Sequence, residues 1–212
     1  MLNRSTFFGR VRSSLFGGTL SQSQVDGMTA MLDGWEKSYQ QRTPLTQLAY
    51  CLATAFHETN RTMQPVHESG NAAYFTRLYD VQGANPARAR AMGNAAPGDG
   101  ALYCGRGLVQ LTWRVNYAKA TDKLHALGLL DSGESLVTTP DLAMRMEIAV
   151  PVMFEGMEDG WFTGVDLDDT IDAIKDGDEH ADFVKARRII NGTDRAELIA
   201  GYGDKFLTAL SA

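Results

Sequence analysis

The sequence is short of cysteine, of long apolar runs and of basic charge, and each shortage excludes something. Two cysteines, Cys51 and Cys104, among 212 residues cannot staple a disulfide-rich scaffold. No run of about 18 apolar residues occurs, so no membrane-spanning helix or stable membrane insertion is expected. The start, Met1-Leu-Asn-Arg-Ser-Thr-Phe-Phe-Gly-Arg10, lacks the apolar core of a secretory signal, so the chain is expected to stay in a cytoplasm. A net charge of −6 lacks the basic face that general nucleic-acid binding requires. What is present, 44% hydrophobic and 22% charged residues, describes an ordinary globular chain.

The apolar periodicity is mostly helical. Ser21 or Ser23 is placed to cap a helix that presents Val25, Met28, Leu32 and Trp35 on one face. Thr43-Pro44 opens a second, with Thr43 as its cap and Pro44 at its first position, carrying the stripe Leu45, Leu48, Leu52 and Phe56. Residues 59–70 and 83–100 read as loops. Further helices are expected over 110–130, over 140–157 with a disturbance at Pro151, and over 168–176, 181–190 and 195–210. Leu108–Thr112 is the one short β-like run. The reading is a mainly α chain with residues 19–212 as a single domain. Residues 1–18, with Arg4, Arg10 and Arg12 and no acid, form a mobile basic arm in this reading.

Between Glu155 and Asp182 stand eleven acids and one base, Lys175. This reads as a solvated face, because Asp166-Leu-Asp168-Asp169 lacks the glycine and closing glutamate of a calcium loop. His57-Glu58-Thr-Asn-Arg61 begins like a zinc-protease helix but has Arg61 where the second histidine belongs, and His67-Glu68 fails likewise, so no metal is expected. Gly105-Arg106-Gly107 lacks the third glycine of a dinucleotide loop. Cys51 and Cys104 read as buried thiols, with a cysteine peptidase or amidase as the competing use.

A pair of carboxylates remains. Glu58 sits at the edge of the apolar stripe, and Glu68 follows ten residues later beyond Pro65. One carboxyl that donates a proton and one kept ionised are what glycoside hydrolysis needs. Downstream, Gln110, Thr112 and Asn116 alternate with apolar residues and Trp113. Amides and hydroxyls suit sugar hydroxyls, and aromatic rings cover sugar faces.

Four segments together resemble glycoside hydrolase family 19, the chitinase-like lysozymes, and within it the compact phage endolysins. They are Ala53-Thr-Ala-Phe-His-Glu-Thr59, Thr62-Met-Gln-Pro-Val-His-Glu68, Tyr103-Cys-Gly-Arg-Gly-Leu-Val-Gln-Leu-Thr-Trp-Arg-Val-Asn-Tyr117 and, more loosely, Arg188-Ile-Ile-Asn-Gly192. The resemblance runs from about Gly27 to Leu210 and implies a lysozyme-like fold of two lobes with a substrate cleft. It gives Glu58 the part of general acid, Glu68 that of general base and Thr112 a place on the attacking water. It makes Gln110, Asn116 and Asn191 substrate-contacting polar residues, and His57, Tyr103 and Arg106 cleft-shaping ones. Family members invert the anomeric centre, which requires carboxyl groups about 6.5–9.5 Å apart. Where many members carry an arginine one turn before the tyrosine of the last helix, this chain has Leu198 before Tyr202. Arg188 and Arg195 are the alternatives, and Thr193 replaces the second glycine of the Asn191-Gly192 motif.

The resemblance implies a monomeric hydrolase of β-1,4 bonds in peptidoglycan, needing no cofactor and released to the wall through a holin. A chitinase, or a wall-binding module without activity, is the alternative.

Overall fold

A computed structural model describes residues 2–173 and 176–212. In chain order its elements are α1 (Arg4–Ser14), α2 (Gln22–Gly34), a π-helical turn (Trp35–Tyr39), α3 (Leu45–Glu58), β1 (Val66–His67), α4 (Ala72–Tyr79), α5 (Pro86–Ala91) and α6 (Asp99–Leu102). There follow β2 (Arg106–Gly107), α7 (Arg114–Ala126), a 3-10 turn (Pro140–Met144), α8 (Met146–Glu158), α9 (Glu179–Ala186), α10 (Arg188–Asn191) and α11 (Ala196–Leu210). The fold is mainly α, as expected. Its contacts divide the chain into two compact units, Met1–Gln64 with Met153–Ala212, and Pro65–Val152.

In the first unit α3 is the axis. Every residue from Thr46 to Phe56 is buried, and α11 packs along α3 and α9. Burying a leucine or phenylalanine contributes about 1.5–3 kcal/mol. That outweighs the few tenths of a kcal/mol by which Thr46, Tyr50 and Thr54 disfavour a helix. Phe56 meets the rings of Phe16 and Tyr202 edge-on at 5.1 and 4.8 Å. Gly203 lets α11 approach α9, since a Cβ there would stand 2.6 Å from the Phe183 ring. Ser21, rather than Ser23, caps α2, in a reciprocal capping box with Gln24.

In the second unit β1 and β2 pair antiparallel, Val66 opposite Gly107 and His67 opposite Arg106. Asp80, after α4, gathers the backbone N–H groups of Gln82, Gly98 and Gly100 at 3.0, 2.8 and 3.1 Å. Buried Asn94 donates to the Tyr79 carbonyl and accepts from the Arg114 N–H, which ties the end of α4 to the start of α7.

Several expectations are corrected. Residues 4–14 form α1 rather than a loose arm, because Phe7, Val11 and Leu15 recur every fourth position and are buried. Two of its cations are engaged within the unit, Arg4 with Asp33 and Glu36 and Arg10 with the Thr208 carbonyl. Thr43 does not cap α3; its hydroxyl donates to Glu158. The 83–100 loop contains α5, capped by Asn85 with Pro86 next, and the start of α6. The helix expected over 140–157 breaks at Arg145, whose ψ of 130° is extended, while Pro151 lies inside α8. The helix expected over 168–176 is absent over 168–173, and Ile174 and Lys175 lie outside the described residues. The helix expected over 110–130 begins only at Arg114. The acidic run is not simply solvated: Glu155 and Glu158 are paired with Arg42, and Asp168 accepts from buried Gln47.

Candidate active site

Glu58 is the last residue of α3, so the burial of that helix fixes where it stands. The Thr59 hydroxyl donates back to the Ala55 carbonyl at 2.7 Å and accepts the Met63 N–H at 3.0 Å. Asn60, Arg61 and Met63 then take left-handed φ values of 49°, 69° and 56°. Such a conformation costs a residue with a Cβ about 1–2 kcal/mol. The neighbours hold the turn against that cost. Gln24 donates to the Arg61 carbonyl, Gln64 donates to the Ser23 carbonyl, Met63 is fully buried, and the Arg61 guanidinium lies 5.7 Å from the Phe56 ring. Gly27 of α2 permits this contact, because a Cβ there would lie 1.9 Å from the Met63 carbonyl oxygen.

Arg187, between α9 and α10, donates from Nη1 to Glu58 Oε1 at 2.7 Å and from Nε to the Asp194 carbonyl at 2.9 Å. Its side chain is 2% exposed against 16% for Glu58. A guanidinium taken out of water needs such partners to persist. Glu58 Oε2 has no hydrogen-bond partner among the described residues. Burial pushes the His57 imidazole below its ordinary pKa, and the charges of Arg187 and Arg195 act in the same sense while Glu58 opposes them. Asn191 is exposed at the end of α10, one turn beyond Arg187.

Glu68 follows β1, half-buried, and is held differently. Oε1 accepts the Tyr79 hydroxyl at 2.9 Å and Oε2 accepts the Gly105 N–H at 3.0 Å, while the Glu68 N–H donates to the Gly105 carbonyl at 2.8 Å. Burial and the neighbouring Glu68 charge push the Tyr79 phenol up, so it remains a donor. Gly105 cannot carry a side chain, since its Cβ would fall 2.5 Å from Gln110 Oε1 and 3.1 Å from Glu68 Oε2. Gln110 itself is left-handed, with φ 57°, and donates to the Val66 carbonyl at 3.3 Å. The Thr112 hydroxyl donates to the Gln110 carbonyl at 2.8 Å. Trp113 meets Tyr79 edge-on at 5.0 Å and is buried.

Thus the second unit gathers Glu68, Gln110, Thr112 and Trp113 around one hairpin and turn, and the first gathers His57, Glu58 and Asn191 around Arg187. Three residues named from the sequence are occupied with the scaffold. Arg106 is buried and donates to the carbonyls of Leu102 and Cys104, to the Tyr117 hydroxyl and to Asp141. Tyr103 is buried with its hydroxyl on the Val137 carbonyl, and the buried Asn116 amide donates to the Thr112 carbonyl. Burial raises the pKa of both cysteine thiols, Cys51 most, which disfavours the thiolate that nucleophilic catalysis needs. Sequence reasoning missed Arg187 and Tyr79. Arg187 was marked only by its place four residues after Phe183 on an apolar face, and Tyr79 only by ending an aromatic helix.

The architecture is a chitinase-like fold. Among solved structures, chitinase C from Streptomyces griseus HUT6037 aligns at TM-score 0.58 and 19% identity, over 100% of this chain and 93% of that one. A mutant chitinase C aligns at TM-score 0.61 and 19% identity, over 100% of this chain and 77% of that one. No protein-family model and no curated protein matches the sequence.

Proposed function

We propose that the protein is a glycoside hydrolase that cuts β-1,4 bonds of bacterial peptidoglycan, with Glu58 as general acid and Glu68 as general base. The observation that carries this reading is the way Glu58 is held: one oxygen on a buried guanidinium, the other without a partner among the described residues. A proton on Oε2 can pass to the leaving glycosidic oxygen. The negative charge left on Glu58 then develops against Arg187, where a charge-assisted hydrogen bond stabilises it. Glu68 suits the complementary part. Two neutral donors orient it, and each oxygen keeps a lone pair with which to take a proton from water. Thr112, already donating to a carbonyl, can accept a hydrogen bond from that water. Direct attack by a water aligned in this way inverts the anomeric centre.

The likeness to chitinase C favours chitin as the rival substrate. Digestion of purified peptidoglycan and of chitin oligomers tests both readings, with products followed by mass spectrometry and the first-formed anomer by NMR. New reducing ends from peptidoglycan with inverted configuration are expected. Cleavage of chitin alone would transfer the reading to a chitinase. Binding to walls with no new ends would make the protein a wall-binding module. The endolysin role adds a further expectation: expression lyses a bacterial host only when a holin or another pore opens the inner membrane.

A further inference from the structure

The turn between α10 and α11 borders an open depression of about 440 Å³ in the first unit. Lys185, Arg188, Thr193, Arg195 and Glu197 line it. Two of these charges are already answered, Lys185 by Asp182 at 2.9 Å and Glu197 by His180 at 3.2 Å. Arg188 and Arg195 have no ion pair and no side-chain hydrogen bond among the described residues. Two unanswered guanidinium groups therefore border one hollow in a chain whose net charge is −6. Glu58 uses neither of them, because Arg187 fills that position.

We infer that this depression is an anion subsite, in which Arg188 and Arg195 receive a carboxylate of the peptide stem carried by the peptidoglycan glycan. Its chemistry fits: a guanidinium fork pairs with a carboxylate through two parallel hydrogen bonds, and Thr193 adds a hydroxyl at the rim. Its place fits as well. Thr193 and Arg195 flank Asp194, whose carbonyl accepts Arg187 Nε, so part of the wall of the hollow is the same turn that holds the partner of Glu58. The Arg195 charge is felt at His57. Chitin carries no carboxylate, so such a subsite separates the two candidate glycans by charge rather than by sugar. The inference rests on the reading of Glu58 as the working end of a glycan hydrolase.

The test measures binding of a disaccharide-tetrapeptide muropeptide, and of the same muropeptide with its stem carboxylates amidated, to the wild-type chain and to an Arg188→Ala/Arg195→Ala variant of unchanged melting temperature. The wild type is expected to prefer the muropeptide with free carboxylates. The variant should lose about tenfold in affinity for it and none for the amidated one. Equal muropeptide affinity in both proteins, no binding by the wild type, or an equal loss for both ligands overturns the subsite. Reducing ends released from whole walls are scored separately. Cleavage that continues while muropeptide binding ignores the arginines sinks the subsite alone. Arginine-dependent binding without cleavage sinks the hydrolase reading alone.

Discussion

Glu58 and Glu68 are ten residues apart in the chain and are held by different physics. Glu58 depends on one buried cation supplied from 129 residues further on. Glu68 depends on two neutral donors, a phenol 11 residues away and a backbone N–H 37 residues away. The first arrangement presents one oxygen and backs the other with full positive charge. The second orients both oxygens and leaves the carboxylate no ion-pair partner among the described residues. In the proposed roles Glu58 would gain charge during reaction, where Arg187 can stabilise it, whereas Glu68 would carry its charge beforehand.

The comparison can be broken most severely at the carboxyls themselves. Glu58→Gln should lower wall hydrolysis by roughly 10²–10⁴-fold with the fold retained, since the amide oxygen still accepts from Arg187. Glu68→Gln should fall in the same range, and turbidity assays with circular dichroism check both. A fully active, folded Glu58→Gln protein would remove Glu58 from the chemistry. Next comes the partner of each acid. Arg187→Ala strips a buried ion pair and should cost about 3 kcal/mol, a melting-temperature loss of roughly 6–12 °C for a chain of this size. Tyr79→Phe removes one neutral donor, so activity should drop about tenfold, worth ~1.4 kcal/mol, while the melting temperature changes little. Similar thermal losses in both variants would erase the distinction between the two regions.

The smallest effect concerns pH. The folded state lowers the pKa of His57. Its contribution to stability is therefore complete above the ordinary histidine value of about 6.5 and is lost as pH falls below it, where the unfolded chain takes up the proton first. Replacing His57 by Gln should flatten the fall in melting temperature between about pH 7 and pH 5.5. An unchanged slope would show that other groups govern the acid limb.

The helix bearing Glu58 was legible because its apolar stripe is dense and Pro44 marks its entry. The hairpin behind Glu68 was not, since strands of two residues are too short to show alternation. The Gly105-Arg106-Gly107 turn was noticed for its glycines. Why Arg106 follows Gly105, as a buried cation tying carbonyls together, is visible only in three dimensions. Charge misled twice. The arginines of residues 1–18 hid a stripe of Phe7, Val11 and Leu15, and the conspicuous Arg188 and Arg195 drew notice away from Arg187. A buried charge is defined by a distant partner, which spacing along the chain does not encode.

The left-handed turn after Glu58 has a consequence for engineering. Glycine at Asn60, Arg61 or Met63 would relieve about 1–2 kcal/mol of conformational penalty at each position. It would also free the unfolded chain by about 0.4–1 kcal/mol and strip away the Phe56 cover and the Met63 core contact. A thermostabilisation campaign guided by backbone angles alone would therefore exchange a defined end of α3 for little or no gain. The side chains there act as a mould for the backbone, and variation is better tried elsewhere.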